Sequence, residues 1–233
     1  AIRMRAEFAD FHFRDKEHAA CVLGQLLATP RPGLVENLVD ALRQSPDPSL
    51  VLDRLERLAL RLPSLDALLD LMASEPRFLV MVAAIFSQSQ FLSDIVFSHP
   101  DYLFWLWTEA PLDVPRGREE MTQKLLDSVH AVDTFDARCL SMRRFKRREI
   151  LRIGTRDVFV HAPVASVAED LSNLADAAME AALFSAREAL APRFGQPRHA
   201  GDGDASFVIM AMGKLGGREL NFSSDIDLLF LYS

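Results

Sequence analysis

The strongest constraint on this chain is a change of pattern near residue 195. Ahead of it, apolar residues recur at helical spacing: Leu52, Leu55, Leu58 and Leu62, then Leu65, Leu68, Leu69 and Met72, form stripes along one side of a helix. The stripes break at Thr29-Pro30-Arg31-Pro32-Gly33, Ser45-Pro46-Asp47-Pro48, Pro63-Ser64, Glu75-Pro76, His99-Pro100 and Pro111 to Gly117. Proline suits the first turn of the next helix, where its missing N–H leaves nothing unpaired. A strongly basic stretch, Thr134 to Val160, and an alanine-rich one, Val164 to Leu190, are expected to form a helical hairpin. Phe194 to Asp204 is polar and Gly-rich and reads as a linker. Beyond it, Phe207 to Met212 and Ile226 to Tyr232 are short continuous apolar runs suited to buried strands. The pattern predicts a mostly α region over 1–195 that leads into the first part of an α/β domain over 196–233. No internal repeat or low-complexity tract occurs.

Bulk properties narrow the function. The chain has 233 residues, 49% of them apolar and 25% charged, enough to bury a core. A net charge of -7 argues against general affinity for nucleic acid or anionic membrane, both of which need a basic field. Cys21 and Cys139 are too few for a disulfide framework, and the six histidines form no close ligand pair, which argues against zinc. The apolar runs at 78–86 and 102–107 are too short to span a bilayer, and residues 1–5 carry no apolar signal core. A cytoplasmic location is expected.

The chemistry concentrates in Gly213-Lys214-Leu215-Gly216-Gly217-Arg218-Glu219-Leu220-Asn221-Phe222-Ser223-Ser224-Asp225-Ile226-Asp227. Glycines at 213, 216 and 217 directly follow an expected strand, where missing side chains admit a phosphate to backbone donors. Asp225 and Asp227, two apart at the expected start of a strand, would project from one face about 6–7 Å apart along the chain. Mg²⁺ favours such a site, because it binds a few carboxylates together with substrate phosphate oxygens. Ser223 and Ser224 add hydroxyls beside the acids, and Lys214 adds a cation. Taken singly, each feature has a bland alternative: Asp-x-Asp pairs are common at strand edges, and Gly-Gly often marks only a tight connection. The stretch is not a Walker A loop, since Leu215 stands where that motif has Ser or Thr. The order strand, Gly-rich turn, Ser-Asp-x-Asp, strand raises the weight of the combination.

That order resembles the DNA polymerase β-like nucleotidyltransferases. Residues 213–228 resemble, nearly residue for residue, the motif of the bacterial glutamine-synthetase adenylyltransferase/adenylyl-removing family. Arg144 to Asp157 resembles the basic helix that precedes the nucleotidyltransferase core in that family. The resemblance implies a large enzyme with two such domains of opposite activity, one removing AMP from a tyrosine of glutamine synthetase by phosphorolysis and one adding it from ATP. The wording of Asn221 to Asp227 resembles the N-terminal, deadenylylating half. The alternatives are the adenylylating domain and a non-catalytic helical regulatory or interaction module. Asp225 and Asp227 are then the implied catalytic, Mg²⁺-holding acids. Gly213, Lys214, Gly216, Gly217, Ser223 and Ser224 are the implied contacts to an ADP, ATP or AMP phosphate, with Arg218 and Asn221 as weaker candidates. The implied partners are adenylylated glutamine synthetase and the PII signalling protein. A third carboxylate is expected on a strand after Ser233, so the chain is expected to be a fragment without turnover of its own.

Two clusters carry further readings. Arg144, Arg148 and Arg152 recur every four residues on one helix face, which is read as solvated or ion-paired, or else as turned toward the nucleotide site. Tyr102, Phe104, Trp105 and Trp107 read as core packing in preference to a ligand cage.

Overall fold

The computed structural model describes residues 4–198 and 205–233. The chain divides into two compact units. One runs to Ala110 and takes in Gly154–His161; the other comprises Pro111–Ile153 and Ala162–Ser233.

The first unit is a helical array: α1 (Lys16–Leu26), α2 (Leu34–Gln44), α3 (Pro48–Ala59), α4 (Asp66–Ser74), α5 (Pro76–Gln88), α6 (Gln90–Ser98) and α7 (Asp101–Thr108). Its helix starts follow the expected punctuation. Pro48 and Pro76 open α3 and α5. Asp15 caps α1 by accepting from the backbone N–H groups of Glu17 and His18 at 3.0 and 2.9 Å, and Asp47 caps α3 through Leu50 at 2.9 Å. Leu52, Leu55 and Leu58 are buried, as are Leu68, Leu69 and Met72. Leu62 and Leu65 are not, because α3 ends at Ala59 and both lie outside its stripe. Around α5, the side chains of Phe78, Leu79, Met81, Val82, Ile85 and Phe86 are fully enclosed. Tyr102 is buried, and Trp107 meets Phe78 edge-on at 5.6 Å, so this aromatic group packs against the core. Asn37 on α2 donates to the carbonyls of Met72 and Ala73, each at 2.9 Å, satisfying the end of α4. No single helix among the described residues is long and apolar enough to cross a membrane.

The second unit holds α8 (Arg118–His130), most of α9 (Phe135–Thr155) and α10 (Val164–Phe194). A π-helical turn, Arg156–Val160, follows α9, and His161 takes a left-handed φ of 57° before Pro163 leads into α10. The alanines of α10 allow close approach to α8: Ala177 and Ala181 are fully buried, with Met121, Leu125 and Val129 of α8. Phe184 meets His130 edge-on at 4.4 Å. After α10 come β1 (Phe207–Ala211), the single turn α11 (Gly213–Gly216) and β2 (Leu228–Tyr232). β1 and β2 pair antiparallel, with Phe207 opposite Tyr232 and Ala211 opposite Leu228. Among the described residues the chain is mostly helical with a two-stranded sheet near its end, as expected for the fold class. The linker expected over 194–204 lies outside the described residues from 199 to 204.

Candidate functional site

The site grows out of the end of the two-stranded ladder. One further bond in register, from the Met212 N–H to the Asp227 carbonyl at 2.9 Å, places Asp227 opposite the residue that begins the glycine turn. Gly213 has a left-handed φ of 56°, and a Cβ there would lie 3.3 Å from Asp227 Oδ2, so the Asp227 carboxylate lies against the glycine backbone. At Gly216 a Cβ would meet the Ala211 carbonyl at 2.7 Å, which excludes any side chain without a backbone shift. Gly217 is different: its φ of -83° is ordinary, and nothing lies closer than 3.8 Å to a Cβ built there.

The turn ends in a Schellman motif. Arg218 donates its backbone N–H to Leu215 at 3.0 Å and Glu219 to Lys214 at 2.7 Å, with Arg218 at φ 57° in the position where glycine is favoured. The guanidinium of Arg218 reaches α10, donating to Asp176 Oδ2 at 3.1 Å and to Asn173 Oδ1. The following turn is closed by Asn221, whose Oδ1 accepts from the Ser223 N–H at 3.0 Å and the Ser224 hydroxyl at 2.8 Å. Ser224 Oγ also accepts from the Asn221 N–H at 3.2 Å, so its hydroxyl is engaged in holding the turn.

Asp225 and Asp227 do not lie on a strand as expected. β2 begins at Leu228, and both acids occupy the irregular segment just before it, since the facing chain leaves the ladder at Ala211 to form α11. Both are exposed, and among the described residues neither side-chain carboxylate has a hydrogen bond or ion pair, the Asp227 carbonyl alone being bonded, to the Met212 N–H. Lys214 is likewise exposed. The turn thus brings Gly213 and Asp227 together, while Asn221 draws Ser223 and Ser224 into the turn that precedes Asp225. Two uncommitted carboxylates beside a glycine-edged turn fit a hard divalent cation that takes its remaining ligands from water and phosphate.

The basic helix divides its side chains among three environments. Arg152 is fully buried, donating to Glu149 at 2.7 Å and to Asp170 at 2.9 Å. Burial is the largest influence on its pKa and lowers it, but the charges and hydrogen bonds of Glu149 and Asp170 together outweigh burial and raise it above the ordinary arginine value. Arg144 is exposed. Lys146 lines a cavity of about 300 Å³ together with Leu171 and Leu174 of α10 and Asn221, Phe222 and Asp225 of the motif. On the face of Arg144, Arg148 and Arg152, Arg144 is thus solvated and Arg152 ion-paired, while Lys146 lies off that face.

The network around Arg152 escaped the sequence reading. Arg116 donates its guanidinium to Glu149 and its backbone N–H to Asp170 at 3.0 Å, and its carbonyl accepts from Asn173 Nδ2 at 3.1 Å. Asp170, Asn173 and Asp176 stand three apart within an alanine- and leucine-rich helix, a polar line in an apolar setting that could have revealed it.

The family model for glutamate-ammonia ligase adenylyltransferase matches residues 79–233. The chain belongs to this family. It is similar to the bifunctional glutamine synthetase adenylyltransferase/adenylyl-removing enzymes of Thioalkalivibrio sulfidiphilus, 35% identical over 88% of the chain, and of Pasteurella multocida, 31% identical over 70%. The enzyme of the same name from Mannheimia haemolytica is 28% identical over 86%. The chain spans about a fifth of the length of these relatives, covering 20%, 17% and 21% of them respectively.

Proposed function

We propose that this chain is part of the deadenylylating half of a bifunctional enzyme, which removes AMP from a tyrosine of glutamine synthetase by phosphorolysis. The observation that carries this reading is the Asp227 carboxylate lying against Gly213 in a turn whose neighbours Asn221 to Asp227 resemble that half of the family. In the reaction, an oxygen of inorganic phosphate attacks the AMP phosphorus in line, the bond to the tyrosyl oxygen breaks, and the proton from phosphate passes to that oxygen. The products are ADP and the free tyrosine.

Little covalent chemistry falls to the protein, so positioning and charge stabilisation dominate. Asp225 and Asp227 would hold Mg²⁺. When bound, that ion supplies positive charge against the charge developing on the transferring group. Gly213, Gly216 and Gly217 leave the turn open to phosphate, and Lys214 and the Ser223 hydroxyl supply polar contacts beside it. Ser224 keeps the turn before Asp225 closed through Asn221. Adenylylated glutamine synthetase is the substrate protein, and the PII protein is the proposed regulatory partner. A cytoplasmic setting fits both these partners and the free Cys21 and Cys139. The 233 residues alone supply two acids and are proposed to have no turnover.

The test is Asp225→Asn in the whole protein. Mg²⁺-dependent release of ADP from adenylylated glutamine synthetase is expected to be lost, while folding and the opposite, AMP-adding activity persist. A variant that deadenylylates at the parental rate removes Asp225 from the mechanism. If the AMP-adding activity is lost instead, the chain belongs to the other half.

A further inference from the structure

Arg218 breaks a local rule. It occupies the left-handed closing position of the Schellman turn at φ 57°, where glycine fits without strain, although Gly217 stands one residue earlier in an ordinary conformation. Its side chain spans to α10, where Asp176 and Asn173 present two separate acceptors to its two terminal nitrogens. Neither acceptor is free to drift. Asp176 also pairs with Arg118 at 3.3 Å, and Asn173 is tied by its amide nitrogen to the Arg116 carbonyl. Arg116 in turn is bound to Glu149 and Asp170, the two carboxylates that enclose Arg152. A continuous line of hydrogen bonds and ion pairs therefore runs from the buried helix network to the residue that closes the glycine turn.

We propose that Arg218 is a positioning residue. Clamped by Asp176 and Asn173, it fixes the turn from Gly213 to Glu219, and so the backbone edge against which the Asp227 carboxylate lies. A glycine there would close the turn but leave it unanchored. This inference rests on the reading of Asp225 and Asp227 as the cation-holding acids.

The test uses Arg218→Gly, Arg218→Lys, Asp176→Asn and the Arg218→Gly/Asp176→Asn double variant, all in the whole protein. Two quantities are read: Mn²⁺ affinity by electron paramagnetic resonance, with Asp225→Asn identifying the signal from this site, and kcat for phosphorolytic release of ADP. Arg218→Gly decides the matter, because it relieves the left-handed backbone. An arginine of purely structural value would change the two quantities only in step with unfolding.

The expected result for Arg218→Gly is an unfolding temperature equal to or above the parent, with Mn²⁺ affinity and kcat each about 10- to 100-fold lower. Lysine is expected to restore little, since one ammonium cannot reproduce the fork that engages two acceptors. Asp176→Asn should fall in the same direction, and the double variant should be no worse than the more severe single one. Parental affinity and kcat in Arg218→Gly overturn the proposal. So does a loss that tracks unfolding in both Arg218 variants, or the absence of any Asp225-dependent Mn²⁺ signal in the parent. A parent that binds Mn²⁺ through Asp225 yet releases no ADP defeats the functional reading alone, and the affinities of the variants still decide the clamp.

Discussion

Arg54 and Arg152 are both withdrawn from water, one in each compact unit, with 8% and 0% of their surface exposed. Their surroundings act on them in opposite directions. Arg54 meets neutral acceptors, the Phe86 carbonyl and the Gln90 side-chain oxygen, and burial lowers its pKa. Arg152 lies between Glu149 and Asp170, whose combined pull raises its pKa despite burial. In the first unit, a hydrocarbon core accommodates Arg54 by hydrogen bonds to neutral groups. The second unit builds part of its interior from charge, and there each ion depends on the others. The difference teaches where each unit is brittle: the first at its packing, the second at any single member of its ion network.

The largest expected effect comes from Arg152→Met, which keeps the volume but takes from Glu149 and Asp170 the buried cation that they share. Loss of about 3–5 kcal/mol is expected, read from the urea midpoint of the second unit. A cost below that of an ordinary surface substitution would show that the network contributes nothing as an ion cluster. The same change at the other arginine sharpens the contrast. Arg54→Met leaves only a carbonyl and an amide oxygen without a donor, and about 1–3 kcal/mol is expected from denaturant unfolding. Equal losses at the two sites would erase the distinction between the units.

The smallest effect is a pH response. The folded pKa of Arg152 is raised, so the stability that its pairing contributes is fully present below the unfolded arginine value and is lost only as pH rises through the higher folded value. The difference in stability between the parent and Arg152→Met should stay constant from neutral to mildly alkaline pH. A steady narrowing over that range, seen by urea unfolding at several pH values, would mean that Arg152 is not held charged by its partners.

The local architecture was legible in the sequence because its causes are local. Helical spacing of leucines and prolines at helix starts depend on neighbours a few residues away, and the helices of the first unit follow from them. The glycine requirement at 213 and 216 was equally visible as a pattern. Its reasons differ, however: the Asp227 carboxylate at one position and the Ala211 carbonyl at the other.

Three features needed the tertiary structure. The start of β2 at Leu228 depends on where the partner strand stops, since a strand extends only as far as another offers hydrogen bonds, and Ala211 is the last residue of β1. The burial of Arg152 amid a basic helix depends on Glu149 and Asp170 converging from two helices, and an arginine in sequence looks the same whether solvated or enclosed. The clamp on Arg218 joins residues 42 and 45 positions apart, so no spacing rule along one helix could have connected it. The sequence by itself determined that the chain is mostly helical with short strands near its end, because propensity, periodicity and residue type are properties of the chain. Only the tertiary structure decided which charges are buried and what holds the glycine turn, because desolvation and pairing exist only between groups that folding brings together.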